Sequence, residues 1–341
     1  MKIAIIGAGW YGCHMALSLL QAGHMVKIFE KSDTCISGAS KKNQNRLHLG
    51  FHYPRDHQTR VQSKEGFEWF IEHYGHLTGS IENNYYAIAN ENSYIDFETY
   101  KIIMSGTGLN YLEVNEGDSV NNFQGLSNLL ICNERVVKNN LASEYFNNIL
   151  SGIVQFNCYV DLENETVTKA LSENYDIILD CTWGTARKLE SFDYYYEPCI
   201  YFYYKNRSGK NFALTIMDGE HYSLYPYFDD VYTLTSVKHT PLGQFESFNE
   251  AILEANRCKN DRLLINEKRQ AFEREFKKFY PKFTDDFEFY NVEFSMKTKV
   301  KSSTDFRGCL IEKKDKFISI FSGKIDTLHI AENEVFKLIH E

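Results

Sequence analysis

Apolar residues open the chain in two short runs separated by a helical stripe. Lys2-Ile-Ala-Ile-Ile-Gly7 is apolar without alternation, the pattern of a parallel strand buried on both faces. Met15, Ala16, Leu19 and Leu20 recur at helical spacing, which predicts a helix over 11–22 that stops at Gly23. Met25-Val-Lys-Ile-Phe-Glu30 reads as the second strand. Residues 37–55 are rich in Gly, Ser, Asn, His and Arg and predict an irregular loop of the kind that carries function. Helical spacing resumes over 57–75, where Val61, Phe67, Trp69, Phe70 and Ile71 form the apolar face.

Further along, 129–150 reads as a short strand and a helix, and 153–160 and 175–183 as strands. Between 194 and 238 the pattern alternates and is rich in tyrosine, which predicts an antiparallel sheet. Helical patterning fills 248–280, strands return over 287–322, and a helix closes the chain over 326–340. No internal repeat or low-complexity linker interrupts this order. The expected architecture is therefore α/β: a Rossmann-like nucleotide-binding domain from 1–75, 130–190 and 300–341, interleaved with an antiparallel-sheet (α+β) substrate domain from 76–129 and 191–299.

Composition narrows the function. The 341 residues carry a formal net charge of −9, which argues against nucleic acid as a partner, since that needs a basic face. No apolar run is long enough to span a bilayer. The first residues lack the basic stretch and cleavage site of a signal peptide, so a cytoplasmic protein is expected. The eight cysteines are scattered, with no CxxC pair and no zinc spacing, so no metal site is expected and the thiols read as structural in a reducing compartment. The expected partner is a small molecule. Oligomeric state is open.

Gly7-Ala-Gly9-Trp-Tyr-Gly12 is the G-x-G-x-x-G fingerprint of a dinucleotide site, placed between a strand and a helix. Gly7 allows the tight turn, Gly9 lets the backbone approach a pyrophosphate at the helix N-terminus, and Gly12 lets helix and strand pack closely. Glu30 closes the second strand, where a carboxylate accepts hydrogen bonds from a ribose. The fingerprint alone serves both FAD and nicotinamide. The polar loop Gly38-Ala-Ser-Lys-Lys-Asn-Gln-Asn-Arg46, next along the chain, resembles the FAD-dependent oxidoreductases of the D-amino acid oxidase superfamily, which include glycine and sarcosine oxidases and L-2-hydroxyglutarate dehydrogenase. Asn45-Arg-Leu-His48-Leu-Gly-Phe-His-Tyr53 is similar to the histidine-bearing stretch of the hydroxyglutarate enzymes. Asp180-Cys-Thr-Trp-Gly184 resembles the family's strand-to-turn segment, and Phe321-Ser-Gly-Lys-Ile-Asp-Thr327 the glycine turn and helix that return to the flavin. The run Lys297 to Arg307 is a looser relative of the R-P-x-T-x-D segment. There Lys297 or Lys299 stands in place of the arginine that often grips a substrate carboxylate, which puts an amino-acid substrate in question.

The resemblance implies FAD as cofactor. It implies a cofactor-binding set of Gly7, Gly9, Gly12, Glu30, Lys31, Ser40, Asn43, Arg46, Thr182, Gly184, Gly323, Lys324, Ile325, Asp326 and Thr327. Arg46 is expected at the flavin or the substrate, or else at a loop end facing water. His48 suits a general base, because an unperturbed imidazole titrates near neutrality; a histidine hydrogen-bonded within its loop is the other reading. Lys324 would place an ammonium at the flavin edge. Lys238 would promote oxygen reduction from a strand end, as in related oxidases, and His239 contact the substrate, unless the pair faces water. His52, Tyr53 and Arg307 complete the expected substrate contacts. The implied reaction is hydride removal from a CH–OH or CH–NH group of a small polar substrate, anionic or sugar-derived, by an oxidase or dehydrogenase. Two other classes stay open: a non-redox flavoenzyme of the UDP-galactopyranose mutase type, and a flavin-binding protein without turnover.

Overall fold

The computed structural model describes residues 1–114, 123–302 and 306–341. Ser303, Thr304 and Asp305 of the 297–307 segment, and 115–122 of the expected substrate domain, lie outside them.

The strand Lys2–Ile6 sits inside a six-stranded sheet, between Met25–Phe29 on one side and Ile177–Asp180 on the other, all parallel. Beyond Ile177–Asp180 comes Phe317–Phe321, also parallel, and then Leu310–Lys314, antiparallel at the edge. Val154–Gln155 closes the far edge against Met25–Phe29. Alternation explains why the first strand is apolar throughout. Ile3 and Ile5 point into a core shared with Met15, Leu19, Phe70 and Val335. Ala4 and Ile6 point the other way, to Ile178, Leu162 and Leu171. Each such aliphatic side chain taken from water contributes roughly 1.5–3 kcal/mol. The helices Trp10–Gln21, His57–Tyr74 and Leu328–His340 cover the first face. None of the helices among the described residues is long and apolar enough to cross a membrane.

An eight-stranded sheet forms the second layer system. Its order is Phe287–Val300, Tyr194–Asn206, Val231–Ser236, Tyr222–Phe228, Ala213–Met217, Asn84–Ala89, Leu126–Ile131 and Leu112–Glu113. Neighbours are antiparallel except Asn84–Ala89 with Ala213–Met217. Helices Phe248–Asn260 and Arg262–Phe276 back this sheet, and Phe272 and Phe276 pack on Phe202, Tyr204 and Leu234. A three-stranded sheet of Arg46–Leu47, Arg135–Val137 and Thr78–Ser80 joins the two systems. Thr78–Ser80 thereby pairs with a strand on the other side of the expected boundary near residue 76.

One expected strand shortens. Of 153–160 only Val154–Gln155 is paired. Asn157 takes a left-handed conformation (φ 54°), which turns the chain, and Cys158 then donates its N–H to the Glu30 carbonyl. The turned segment becomes part of a cavity wall instead.

Gly12 is where the fingerprint is least forgiving. A Cβ there would lie 1.8 Å from the Gly7 carbonyl oxygen, a backbone atom that cannot yield. A Cβ on Gly106, at the end of Phe97–Gly106, would meet nothing within 4 Å. Gly12→Ala is therefore expected to cost about 1–3 kcal/mol or more, as overpacking does, whereas Gly106→Ala is neutral or stabilises by up to about 1 kcal/mol. Denaturant unfolding followed by circular dichroism compares them; equal midpoints would refute the close approach.

Candidate active site

The turn after Lys2–Ile6 is tied together by a carboxylate. Glu30 is buried, and its two oxygens accept the Ala8 N–H at 2.6 Å and the Ser32 N–H at 2.9 Å. Gly9 carries no side chain where a Cβ would sit 2.9 Å from Ser40 Oγ. Ser40 Oγ accepts the Trp10 N–H at 3.2 Å, so the polar loop rests directly on the helix N-terminus. Asn139 fixes that loop. Its side-chain oxygen accepts Trp10 Nε1–H at 2.8 Å, and its amide donates to the Ser40 carbonyl at 2.8 Å and to Asn45 Oδ1 at 2.6 Å. Asn43 donates to the Ala39 carbonyl at 2.6 Å and closes the turn before Asn45.

The second wall comes from the end of Ile177–Asp180. Asp180 Oδ1 accepts both the N–H (2.9 Å) and the hydroxyl (2.7 Å) of Thr182, and burial pushes the Asp180 carboxyl above its usual range. Trp183 adopts φ 59° and lies against Gly323, where a Cβ would fall 2.2 Å from the indole. Trp183 lines the cavity, and its buried Nε1–H finds no acceptor among the described residues.

The turn Gly323-Lys324-Ile325-Asp326 carries a buried ion pair. The Lys324 ammonium lies 3.0 Å from Asp326 Oδ2, donates to Ser63 Oγ at 2.6 Å, and sits 3.8 Å above the Tyr53 ring. Burial works against this charge, but Asp326 and Tyr53 outweigh it and hold the Lys324 pKa above its ordinary value. Ser63 reaches it because Gly66, in the helix His57–Tyr74, lets that helix pack onto the turn; a Cβ on Gly66 would lie 1.5 Å from the Asp326 carbonyl oxygen.

Arg46 occupies the floor opposite. It is buried, donates to Tyr86 OH at 2.8 Å and to Ser223 Oγ at 2.6 Å, and stacks 3.9 Å from the Tyr225 ring centroid. Glu134 supplies the counter-charge at 3.9 Å. Its own oxygens accept the Tyr86 hydroxyl at 2.6 Å and the Leu49 N–H at 2.8 Å. His48, His52 and Tyr53 meet as a cluster of rings with centroids 5.3–5.4 Å apart. Burial, then the charges of Lys324 and Arg46, push the His48 pKa well below its ordinary value; burial, then His48 and Arg46, do the same to His52. Both rings are neutral at neutral pH.

These segments meet around one cavity of about 790 Å³, with Glu134, Tyr86, Tyr225, Asp180 and Ser63 set behind its lining. Arg46, His48 and Lys324 line it together, with His52, Tyr53 and Arg307. Gly7, Gly9, Glu30, Lys31, Ser40, Asn43, Thr182, Gly323, Ile325 and Asp326 line it too. Gly12, Gly184 and Thr327 lie just beneath: Gly184 accepts the Tyr196 hydroxyl at 2.6 Å, and Thr327 meets Tyr11 OH at 2.7 Å.

Two expected site residues stand elsewhere. The strand ends at Ser236, whose N–H is taken by Thr240 Oγ1, and the chain turns outward. Lys238 is exposed and pairs with Glu220 at 3.4 Å, and His239 faces Glu275 at 3.4 Å beside Phe272. Neither borders the cavity. The Lys324 ammonium lines the cavity with Asp326 as its counter-charge, a pairing the sequence reading did not include. Sequence reasoning missed Glu134, Tyr86, Ser223 and Asn139. Lys299, noted only as an arginine substitute, is bound to the buried Glu197 at 2.5 Å.

Residues 2–111 match the sequence model of the DAO family, described as FAD dependent oxidoreductases. The chain is 36% identical over 344 residues to the FAD-dependent monooxygenase FPY4 of Fusarium mangiferae, a match that covers 100% of this chain and 91% of that protein. Among solved structures, glycine oxidase from Geobacillus kaustophilus superposes with a TM-score of 0.73 at 12% identity, covering 99% of this chain and 95% of that one. The dithionite-reduced L-alpha-glycerophosphate oxidase of Mycoplasma pneumoniae, with FAD bound, gives 0.74 at 15% identity, covering 100% and 94%. At those identities the structures establish the fold alone.

The two neutral histidines have a consequence for stability. Their native pKa values are depressed below about 6.5, the unfolded value. Below that pH the unfolded chain takes up protons that the native state refuses. Their contribution is therefore present above about pH 6.5 and lost on acidification, by up to about 1.4 kcal/mol per pH unit for each ring. Between pH 7.5 and 5.5 the melting temperature should fall, and a His48→Gln/His52→Gln variant should fall less. Parallel curves for the two proteins would show that these rings do not carry the acid sensitivity.

Proposed function

Since the chain belongs to the FAD-dependent oxidoreductases of the D-amino acid oxidase family, we propose that it oxidises a CH–OH or CH–NH group of a small polar donor, with His48 as proton acceptor. The residues present fit FAD. The side-chain-free approach at Gly9, the carboxylate of Glu30 and the unpartnered indole N–H of Trp183 all border one cavity large enough for a dinucleotide and a small donor. Gly7, Gly9 and the N-terminus of Trp10–Gln21 would hold the pyrophosphate and Glu30 a ribose. Trp183 and the turn over 323–326 would border the ring. Bound FAD supplies a two-electron acceptor.

In this reading His48 would take the O–H or N–H proton of the donor, FAD when bound would supply the acceptor for the hydride of the same donor carbon, and the product would be a carbonyl compound or imine. An external acceptor such as oxygen then takes the two electrons. The observation that carries the proposal is the placement of His48: a partly buried imidazole in the wall of the cavity beside Arg46 and Lys324, whose charges and burial hold it neutral and so able to accept a proton. Arg46, braced by Tyr86, Ser223 and Glu134, would fix the donor's polar groups rather than titrate. We assign 1–75, 130–190 and 300–341 to the cofactor-binding part, which supplies every strand of the six-stranded sheet, and the rest to the substrate-binding part. The eight cysteines, all thiols, support a reducing compartment such as the cytoplasm.

The relative named a monooxygenase favours a second reading, transfer of one oxygen atom to the substrate. Product formed under labelled dioxygen separates the two, since only oxygen transfer leaves the label in the product.

The purified protein should be yellow and hold one FAD per chain. A donor found by peroxide screening of polyols, hydroxy acids and amines should bleach the flavin in anaerobic stopped flow. His48→Ala should slow that bleaching at saturating donor by something like 10²–10⁴-fold. Bleaching at the wild-type rate in the variant would remove His48 from the chemistry and leave the FAD assignment standing.

A further inference from the structure

Glu134 is a carboxylate that nothing in the cofactor's requirements explains. It sits in the short link between the strands Leu126–Ile131 and Arg135–Val137, and its side chain is fully buried. A buried carboxylate costs several kcal/mol unless hydrogen bonds and opposite charge compensate it. Here the compensation is shared among the candidate site residues. Oε2 takes the Tyr86 hydroxyl and lies 3.9 Å from the Arg46 guanidinium. Oε1 takes the N–H of Leu49, the residue next to His48, and lies 3.7 Å from His48 Nδ1. That nitrogen is buried and makes no hydrogen bond among the described residues; the Glu134 carboxylate is the acceptor it faces.

We propose that Glu134 is the positioning residue of this site: its carboxylate holds the proton of neutral His48 on Nδ1, which leaves the Nε2 lone pair to take the donor's proton. The inference rests on the reading of His48 as proton acceptor. In a neutral imidazole one nitrogen donates and the other accepts, and the partner of the first decides which is which. Glu134 is the acceptor facing Nδ1. A donor on Nδ1 and a lone pair on Nε2 is the arrangement it imposes. The separation exceeds a hydrogen bond by about 0.8 Å, a gap that a small ring rotation closes and that unliganded sites commonly show. When Nε2 takes the proton the ring becomes a cation, and the same carboxylate faces it. Asp326 also favours positive charge on the ring but is itself bound to Lys324, while Lys324 and Arg46 oppose that charge and His52 and Tyr53 are neutral; Glu134 is the carboxylate that faces Nδ1. Glu134 also hydrogen-bonds to the loop's backbone at Leu49, so charge and position come from one residue.

The test is 15N NMR of the FAD-loaded protein labelled with 15N-histidine, with His48 assigned by its loss in His48→Gln. The proposal expects wild-type His48 at neutral pH to show the protonated Nδ1, bare Nε2 pattern. In Glu134→Gln a neutral acceptor replaces the charge, and the two shifts should move toward the Nε2–H pattern. Flavin reduction at saturating donor should slow by about 10–100-fold. A wild-type Nε2–H pattern, or His48 shifts identical in Glu134→Gln, overturns the inference. If Glu134→Gln does not fold, the wild-type pattern alone still decides. The two ideas fail separately: an unslowed His48→Ala defeats the proton-acceptor reading whatever the tautomer, whereas a slowed His48→Ala with an Nε2–H wild type defeats only the role of Glu134.

Discussion

A charge removed from water must find its opposite, and the cavity between the two sheets is built around that requirement. Arg46 and Glu134 approach from segments 88 positions apart, and Glu197 and Lys299 from neighbouring strands. Removing one member of such a buried pair leaves the other uncompensated, at a cost of about 3–5 kcal/mol. Each pair therefore acts as a registration pin. Arg46 can donate to Tyr86 and Ser223 only if the three-stranded sheet sets its strand against the eight-stranded one, and the pairing of Arg46 with Val136 does so.

This dependence explains what could be read from the sequence and what could not. The fingerprint was legible because its parts are local. Gly7, Gly9, Gly12 and Glu30 lie within one βαβ unit, and the spacing of strand, turn and helix fixes their geometry. Lys324 was legible as a cavity residue because a glycine turn after an apolar strand repeats the same logic. Its partner was not, since Asp326 two residues away reads equally well as a helix-start acid. Glu134 lacked any signal. A single acid in Cys132-Asn-Glu-Arg135 looks like a polar link, and only the three-stranded sheet brings it to Arg46 and His48.

Lys238 and His239 show the opposite failure. Alternation over 232–236 is real, and extending it by two or three residues would point one of the pair at the cavity. The strand ends at Ser236, with one last backbone bond from Val237 N–H to the His221 carbonyl, and Thr240 folds back to cap the Ser236 N–H. Beyond that point the period of two no longer determines which way a side chain faces, and the exposed lysine finds a surface acid. Strand patterns predict facing only as far as the hydrogen-bond ladder runs.

Charge pairing also determines how the site treats protons. With Lys324 neutralised by Asp326 and Arg46 facing Glu134, the cavity does not present two bare cations. Both cations nevertheless remain close enough to depress the pKa of His48, and burial depresses it further. A base made this weak is always free to accept a proton but holds one poorly. Proton acceptance then becomes efficient only if something stabilises the imidazolium once it forms. Burial cannot, and neither can the cations. A carboxylate already desolvated, already oriented by Tyr86 and Leu49, and aimed at the far nitrogen needs no reorganisation to do so. The same reasoning bears on Arg46. A guanidinium that shares Glu134 with His48 is held less tightly when the ring is protonated, so its grip on a bound donor is coupled to the state of the base through one buried carboxylate.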